Sequence, residues 1–190
     1  MTTKIEALVD GVGKRFSYGD AFVREMAATT PRIRIGLDAR FVGWLVRLAS
    51  VLRGPYQLLY VLHTTRTGSP LGRYQSPSID FDDLKRFLED FGDFIAGDSR
   101  HDLWVHTESD DATIVFDRHN LMFAYGPLDT FEHVLLDGGV RPSIPNQLPD
   151  PHVHHYHSVW DGSERRILTA LDWSYTPLRE QDIQYIESRN

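Results

Sequence analysis

The chain has 190 residues, 41% hydrophobic and 25% charged, a balance that fits one globular domain with a substantial core and argues against a disordered or fibrous class. It has no cysteine, which excludes disulfides, thiolate catalysis and cysteine-ligated zinc. The net charge of −7 is unevenly spread: residues 1–78 carry +6 and residues 79–190 carry −13. The two halves either interleave and neutralise each other, or leave a basic surface for an anionic ligand or for the acidic face of another copy.

The opening MTTKIEALVD is polar, without the pattern of a secretory signal. The most apolar stretch, 41–52, is broken by Arg47 and too short to span a bilayer. Together these make a cytoplasmic location the expectation. Ile5, Leu8, Val9 and Val12 are spaced for a short helix. Asp10-Gly11-Val12-Gly13-Lys14 lacks the glycine spacing and the hydroxyl residue of a phosphate-binding loop. Residues 21–28 predict a second short helix, ended by Thr29-Thr30-Pro31. Arg32 to Ile35 alternates and predicts a short strand. Asp38 is expected to cap a helix running to about Arg53, apolar enough to be mostly buried.

Gly54-Pro55 then stops the chain, and Tyr56 to His63 (YQLLYVLH) reads as an interior strand. Residues 64–78, TTRTGSPLGRYQSPS, predict a long functional loop. His63, Arg66, Arg73 and Tyr74 make it a candidate site for a small anion, through forked donors and backbone N–H groups freed at its glycines. Ser78 or Asp80 caps a helix to about Ile95, with Phe81, Leu84, Phe87, Leu88, Phe91 and Phe94 on its inner face.

Period-two alternation is clearest between Asp102 and Tyr125, which predicts three antiparallel strands with turns at 108–111 and 118–120. Asn120 suits a turn position of positive φ. Pro127 and Asp129 fit the start of a helix whose apolar face is Leu128, Phe131, Val134 and Leu135, ended by Gly138-Gly139. The four prolines of RPSIPNQLPDP predict an extended connector over 140–151. Asp161-Gly162 reads as a turn between two extended runs, the second reaching Tyr175, so that 152–175 forms a histidine-rich hairpin. Thr176-Pro177 opens a final helix through Leu178, Ile183 and Ile186.

His152, His154, His155 and His157 form the one cluster that looks like a site. On a strand, His152 and His154 share one face and His155 and His157 the other. A His-x-His pair can give two imidazoles to a divalent metal, with a third ligand from elsewhere and an open position for chemistry. Glu164, Asp161, His63 and His106 are the candidate third ligands. His119 reads as a turn residue, and His133 as the exposed side of its helix. No nucleophile elbow, Ser-x-x-Lys, His-Glu-x-x-His or calcium-loop spacing is present.

The expected fold is α+β, with a mainly antiparallel sheet of about five to seven strands and helices packed largely on one face. Three functional classes are compatible with the sequence, which does not by itself decide between them. The preferred expectation is a non-enzymatic module that binds a protein partner or a second copy of itself. The alternatives are a metal-dependent enzyme, such as a hydrolase, using the 152–157 histidines, and a small-anion binder using the 64–78 loop. Net charge and the lack of a recognition motif argue against nucleic acid.

Overall fold

The computed structural model describes residues 2–182. In chain order the strands are β1 (Ile5–Val9), β2 (Val12–Lys14), β3 (Ala21–Ala27), β4 (Thr30–Gly36), β5 (Gln57–Leu62), β6 (Gly72–Gln75), β7 (His101–Thr107), β8 (Ala112–Phe116), β9 (Leu121–Tyr125), β10 (Arg141–Pro142), β11 (His152–His154) and β12 (Ser174–Thr176). The helices are α1 (Phe41–Ala49), α2 (Phe81–Gly97), α3 (Leu128–Asp137) and α4 (Asp161–Ile167).

The fold is α+β. Nine strands form one mixed sheet in the order β10-β3-β4-β9-β8-β7-β5-β6-β12, and three form a small sheet, β11-β1-β2. Among the described residues, only the β10–β3 pairing of strands is parallel. The centre of the large sheet is the alternating block: Leu103, Val105, Ile114, Phe116, Met122 and Ala124 are all fully buried, while Trp104, Val115 and Phe123 between them are half-buried. A strand's period of two makes that division unavoidable once one face packs. Helix α2 packs on β7 and on α1, α1 on β8, and α3 on β4 and β9. The Asp80 carboxylate caps α2 by accepting from the Asp83 N–H at 2.8 Å. Gly139, at φ +82°, turns the chain away after α3.

The strands outnumber the expected five to seven in part because three segments read otherwise are strands, the first in the small sheet and the other two in the large one. Residues 5–14 form a hairpin instead of a helix. Its turn is Asp10-Gly11, both at positive φ (54° and 76°), the geometry that two-residue hairpins require and that Asp-Gly supplies cheaply. Residues 21–27 are helix formers by propensity, yet they pair along their whole length with β4, where Glu25 meets Arg32 at 2.7 Å and Arg34 at 2.9 Å. Sheet pairing overrides local propensity there. Within residues 64–78, β6 pairs with both β5 and β12, so that stretch is no structureless loop.

Three further expectations are corrected. Asp38 does not cap α1; its carboxylate accepts from Ser17 Oγ and from the Tyr18 and Gly19 N–H groups, and Arg40 holds the cap position at φ 59° with no side-chain cap. Asp161-Gly162 is the first turn of α4 and not a hairpin turn, because Glu164 and Ile167 both bury from a helix. The predicted 152–175 hairpin is therefore a strand, a helix and a short edge strand. Interior strand β5 is confirmed by its neighbours β6 and β7. Of the final helix, a 3-10 turn at Glu180–Asp182 is described, and Ile183 and Ile186 lie outside the described residues.

The small sheet is bolted to the large one through buried polar groups. Ser99 Oγ donates to the Lys4 carbonyl at 2.6 Å and to the Arg118 carbonyl at 3.1 Å, while the Ser99 N–H donates to the His155 carbonyl. Lys4 is fully buried, with Nζ donating to the Asp117 carbonyl at 2.9 Å and lying 3.9 Å from the Phe116 ring centroid. Burial lowers its pKa to about 8 against the opposing pull of Asp117, Asp102 and Asp98. Behind it, fully buried Arg100 is held by Asp98 at 2.7 and 2.9 Å and by Glu164, and donates to the His157 carbonyl at 3.0 Å. The Asp98 carboxylate also accepts from the His157 N–H at 2.7 Å. These contacts tie the start of β1 and the exit of β11 to the β8–β9 turn.

Candidate metal centre

Strand β11 pairs antiparallel with β1, Ile5 opposite His154 and Ala7 opposite His152. Alternation then puts His152 and His154 on one face, as their spacing predicts. The third imidazole comes from the β8–β9 turn, which the Lys4 and Ser99 contacts press against β11. There Asp117 closes the turn on itself, its Oδ1 accepting from the His119 and Leu121 N–H groups at 2.9 Å each. Asn120 adopts φ 63°, the left-handed conformation expected of it. The consequence is that His119 faces the strand.

The three rings converge. Centroids lie 4.8 Å apart for His119–His154, 5.1 Å for His152–His154 and 5.5 Å for His119–His152. One nitrogen from each ring lies within 4.8 Å of the others, and among the described residues this is the one group of three or more such side chains to do so. A tetrahedral ion about 2.1 Å from each nitrogen sets them about 3.4 Å apart, so modest ring rotations close the site.

Each ring's other contacts bear on its role as a ligand. His119 Nδ1 lies 3.1 Å from Asp117 Oδ2, an arrangement that fixes the tautomer and leaves Nε2 to ligate. His152 Nδ1 donates to the Pro149 carbonyl at 3.2 Å, which frees its Nε2 in the same way. His154 Nδ1 is buried without a partner. Burial first, then the positive character of His119, His152, Arg118 and Lys4, pushes its pKa down to about 3, so the ring is neutral at pH 7. A buried neutral imidazole with an unused nitrogen is a metal ligand in waiting. Beside the rings is a cavity of about 230 Å³ that His119 and His152 line together with Tyr18, Arg34, Asn146, Gln147 and Asp150.

The other two histidines of the cluster face away. His155 Nε2 lies 3.1 Å from Glu6 Oε2, His157 Nε2 donates to the Thr3 carbonyl at 2.9 Å, and the two rings stack at 5.6 Å. None of the third ligands suggested by sequence joins the site. His119 does, from a turn 33 residues upstream of His152. Its only sequence mark is the carboxylate two residues before it, and nothing local announces the approach of β11.

The residues of the candidate anion site are already engaged within the protein, two of them, His63 and Arg73, by Asp182. His63 bridges Asp102 Oδ2 at 2.9 Å and the Asp182 carbonyl at 3.0 Å. Arg66 meets Asp161 at 3.2 Å, and buried Arg73 meets Asp182 at 2.7 Å. Tyr74 donates to the Pro70 carbonyl at 2.5 Å. None of the four lines the cavity beside the histidines. The loop itself is tied to buried Glu164, which accepts from Thr65 and Thr67. Burial pushes Glu164 up, but hydrogen bonds from Thr65, Thr67, Arg100 and Ser69 outweigh it and hold the carboxyl at about 2.

No protein-family model, curated protein or solved structure matches this chain.

Proposed function

We propose that this protein is a mononuclear metal-dependent enzyme of the hydrolytic class, with His119, His152 and His154 as the ligands. The observation that carries the reading is the convergence of three imidazoles, two of them oriented by a second contact and one with a buried, unpartnered nitrogen. Three neutral nitrogen donors without thiolate suit zinc, copper, nickel or iron rather than magnesium or calcium. Held by these three histidines, such an ion would supply Lewis acidity and an acidified water as nucleophile.

The chain's own groups supply the rest. The 230 Å³ cavity beside His119 and His152 would admit a small substrate. Arg34, whose Nε is held by Glu25, lines the cavity with its remaining guanidinium N–H groups as donors for a carbonyl or phosphoryl oxygen, and the Gln147 amide lines it beside them. Asp150 lines the same cavity, available to take the proton that water releases. The interaction-module reading, which rests on the absence of a catalytic motif and on charge asymmetry, has no comparably specific observation behind it.

The test is reconstitution. Metal-free protein is loaded with zinc, nickel, iron(II) or copper and assayed against nitrophenyl carboxylate and phosphate esters. Turnover should depend on metal and fall to background in His154→Ala. Equal rates in the loaded wild type and in loaded His154→Ala would sink the proposal.

A further inference from the structure

On the other side of Tyr18 lies a larger cleft of about 390 Å³, distinct from the histidine cavity but sharing that tyrosine as a wall. Tyr18 stands there because Gly36 leaves it room: a Cβ on Gly36 would sit 2.6 Å from the Tyr18 Cβ. Its hydroxyl donates to the His119 carbonyl at 2.8 Å, which pins the ring as a partition.

The walls are aromatic. Phe16 meets Tyr18 edge-on at 4.9 Å, and Phe41 and Trp160 close the other sides. The volume falls in the range of small-molecule sites, and an apolar wall with a few placed polar groups is their usual make-up.

The polar groups favour one kind of occupant. The Asn120 side-chain oxygen is buried without any hydrogen-bond partner, although Asn120 lines this cleft. A buried acceptor without a donor is costly, and a ligand N–H relieves that cost. Two carboxylates, Asp38 and Asp93, also line the cleft, and Asp93 makes no ion pair among the described residues. The single cation, Arg15, is exposed, and its guanidinium points at the Asp38 carbonyl, 3.4 Å away. Aromatic faces with a net negative rim attract an organic cation.

We propose that this cleft binds a small arylalkyl amine, its ring between Phe16, Phe41 and Trp160, an N–H on Asn120 and its ammonium toward Asp93. The site is independent of the metal reading: it uses none of the three histidines and stands or falls without them.

Tryptamine is the probe, with indole-3-propionate as a control of similar size and opposite charge, titrated by calorimetry into the metal-free full chain. Tryptamine should bind one per chain, and the acid at least about tenfold more weakly. Asn120→Gly, which keeps the left-handed backbone and removes only the carboxamide, should weaken tryptamine about fivefold. Asp93→Asn, on the exposed side of α2 where folding is not at stake, should weaken it by a similar factor of about five. The proposal is overturned if folded wild type shows no tryptamine binding at low-millimolar concentration. It is equally overturned if the acid binds as well as the amine, or if both variants bind like wild type.

Discussion

Replacing Arg100 with methionine should destabilise the protein heavily and loosen the histidine site with it. Arg100 is 0% exposed, and its guanidinium is the counter-charge for Asp98 and Glu164, both also at 0%. Methionine fills much of the volume but leaves two carboxylates buried without a cation. Breaking a buried pair in this way costs about 3–5 kcal/mol. For a chain of this size, each kcal/mol lowers Tm by about 2–4 °C, so thermal unfolding followed by circular dichroism at pH 7 should show a drop of about 6–20 °C. The double variant Arg100→Met, Glu164→Gln should recover part of that loss, because one fewer charge is stranded. The same variant should bind zinc more weakly, since Arg100 and Asp98 hold His157 and so fix the exit of β11. A Tm for Arg100→Met within about 2 °C of wild type would refute the claim that this cluster carries the docking of the small sheet.

Other expectations follow from the same contacts. Asp117→Asn should lower metal affinity about 10–100-fold while leaving the ligands in place, measured by competition with a chromogenic chelator, because Asp117 sets the His119 tautomer. Stability of the metal-free protein should fall in acid in two stages. His101 is fully buried, and burial holds its pKa well below 6.5, as it holds His154 at about 3. The unfolded chain therefore takes up these protons first, so stability is level between about pH 6.5 and 8, where Lys4 begins to titrate, and declines from pH 6.5 toward pH 3. Glu164, at about 2 instead of 4.5, adds a second loss from pH 4.5 downward. Urea midpoints that stay flat from pH 7 to 4 would contradict the first stage. Gly126→Ala should cost more than about 1 kcal/mol in urea unfolding, because Gly126 sits at φ +118° with its absent Cβ 2.9 Å from the Ala112 Cα.

The central strands were legible because both of their neighbours are strands and one face is wholly buried, which writes a clean alternation into residues 102–125. Helix α2 was legible for the matching reason, a phenylalanine stripe after an aspartate cap. The hairpin at 5–14 was misread although Asp10-Gly11 signalled it, since four apolar residues there also fit a helical spacing. Residues 21–27 misled through composition: alanine, arginine, glutamate and methionine favour a helix until β4 offers a full-length partner. At the candidate site, the two histidines of β11 were readable from period two. His119 was not, because what brings it there is the buried Lys4, Ser99 and Arg100 scaffold, a set of contacts 95 and 113 residues apart in the chain that no local pattern encodes.

Zinc stoichiometry at equilibrium bears most directly on whether the three rings form a metal centre. Metal-free protein is dialysed against buffered zinc and both compartments are analysed for the element, with His119→Ala alongside. The geometry calls for one zinc per wild-type chain and almost none in the variant. A wild type that emerges without zinc, or a variant that retains as much, would show that the imidazoles meet for some reason other than a metal.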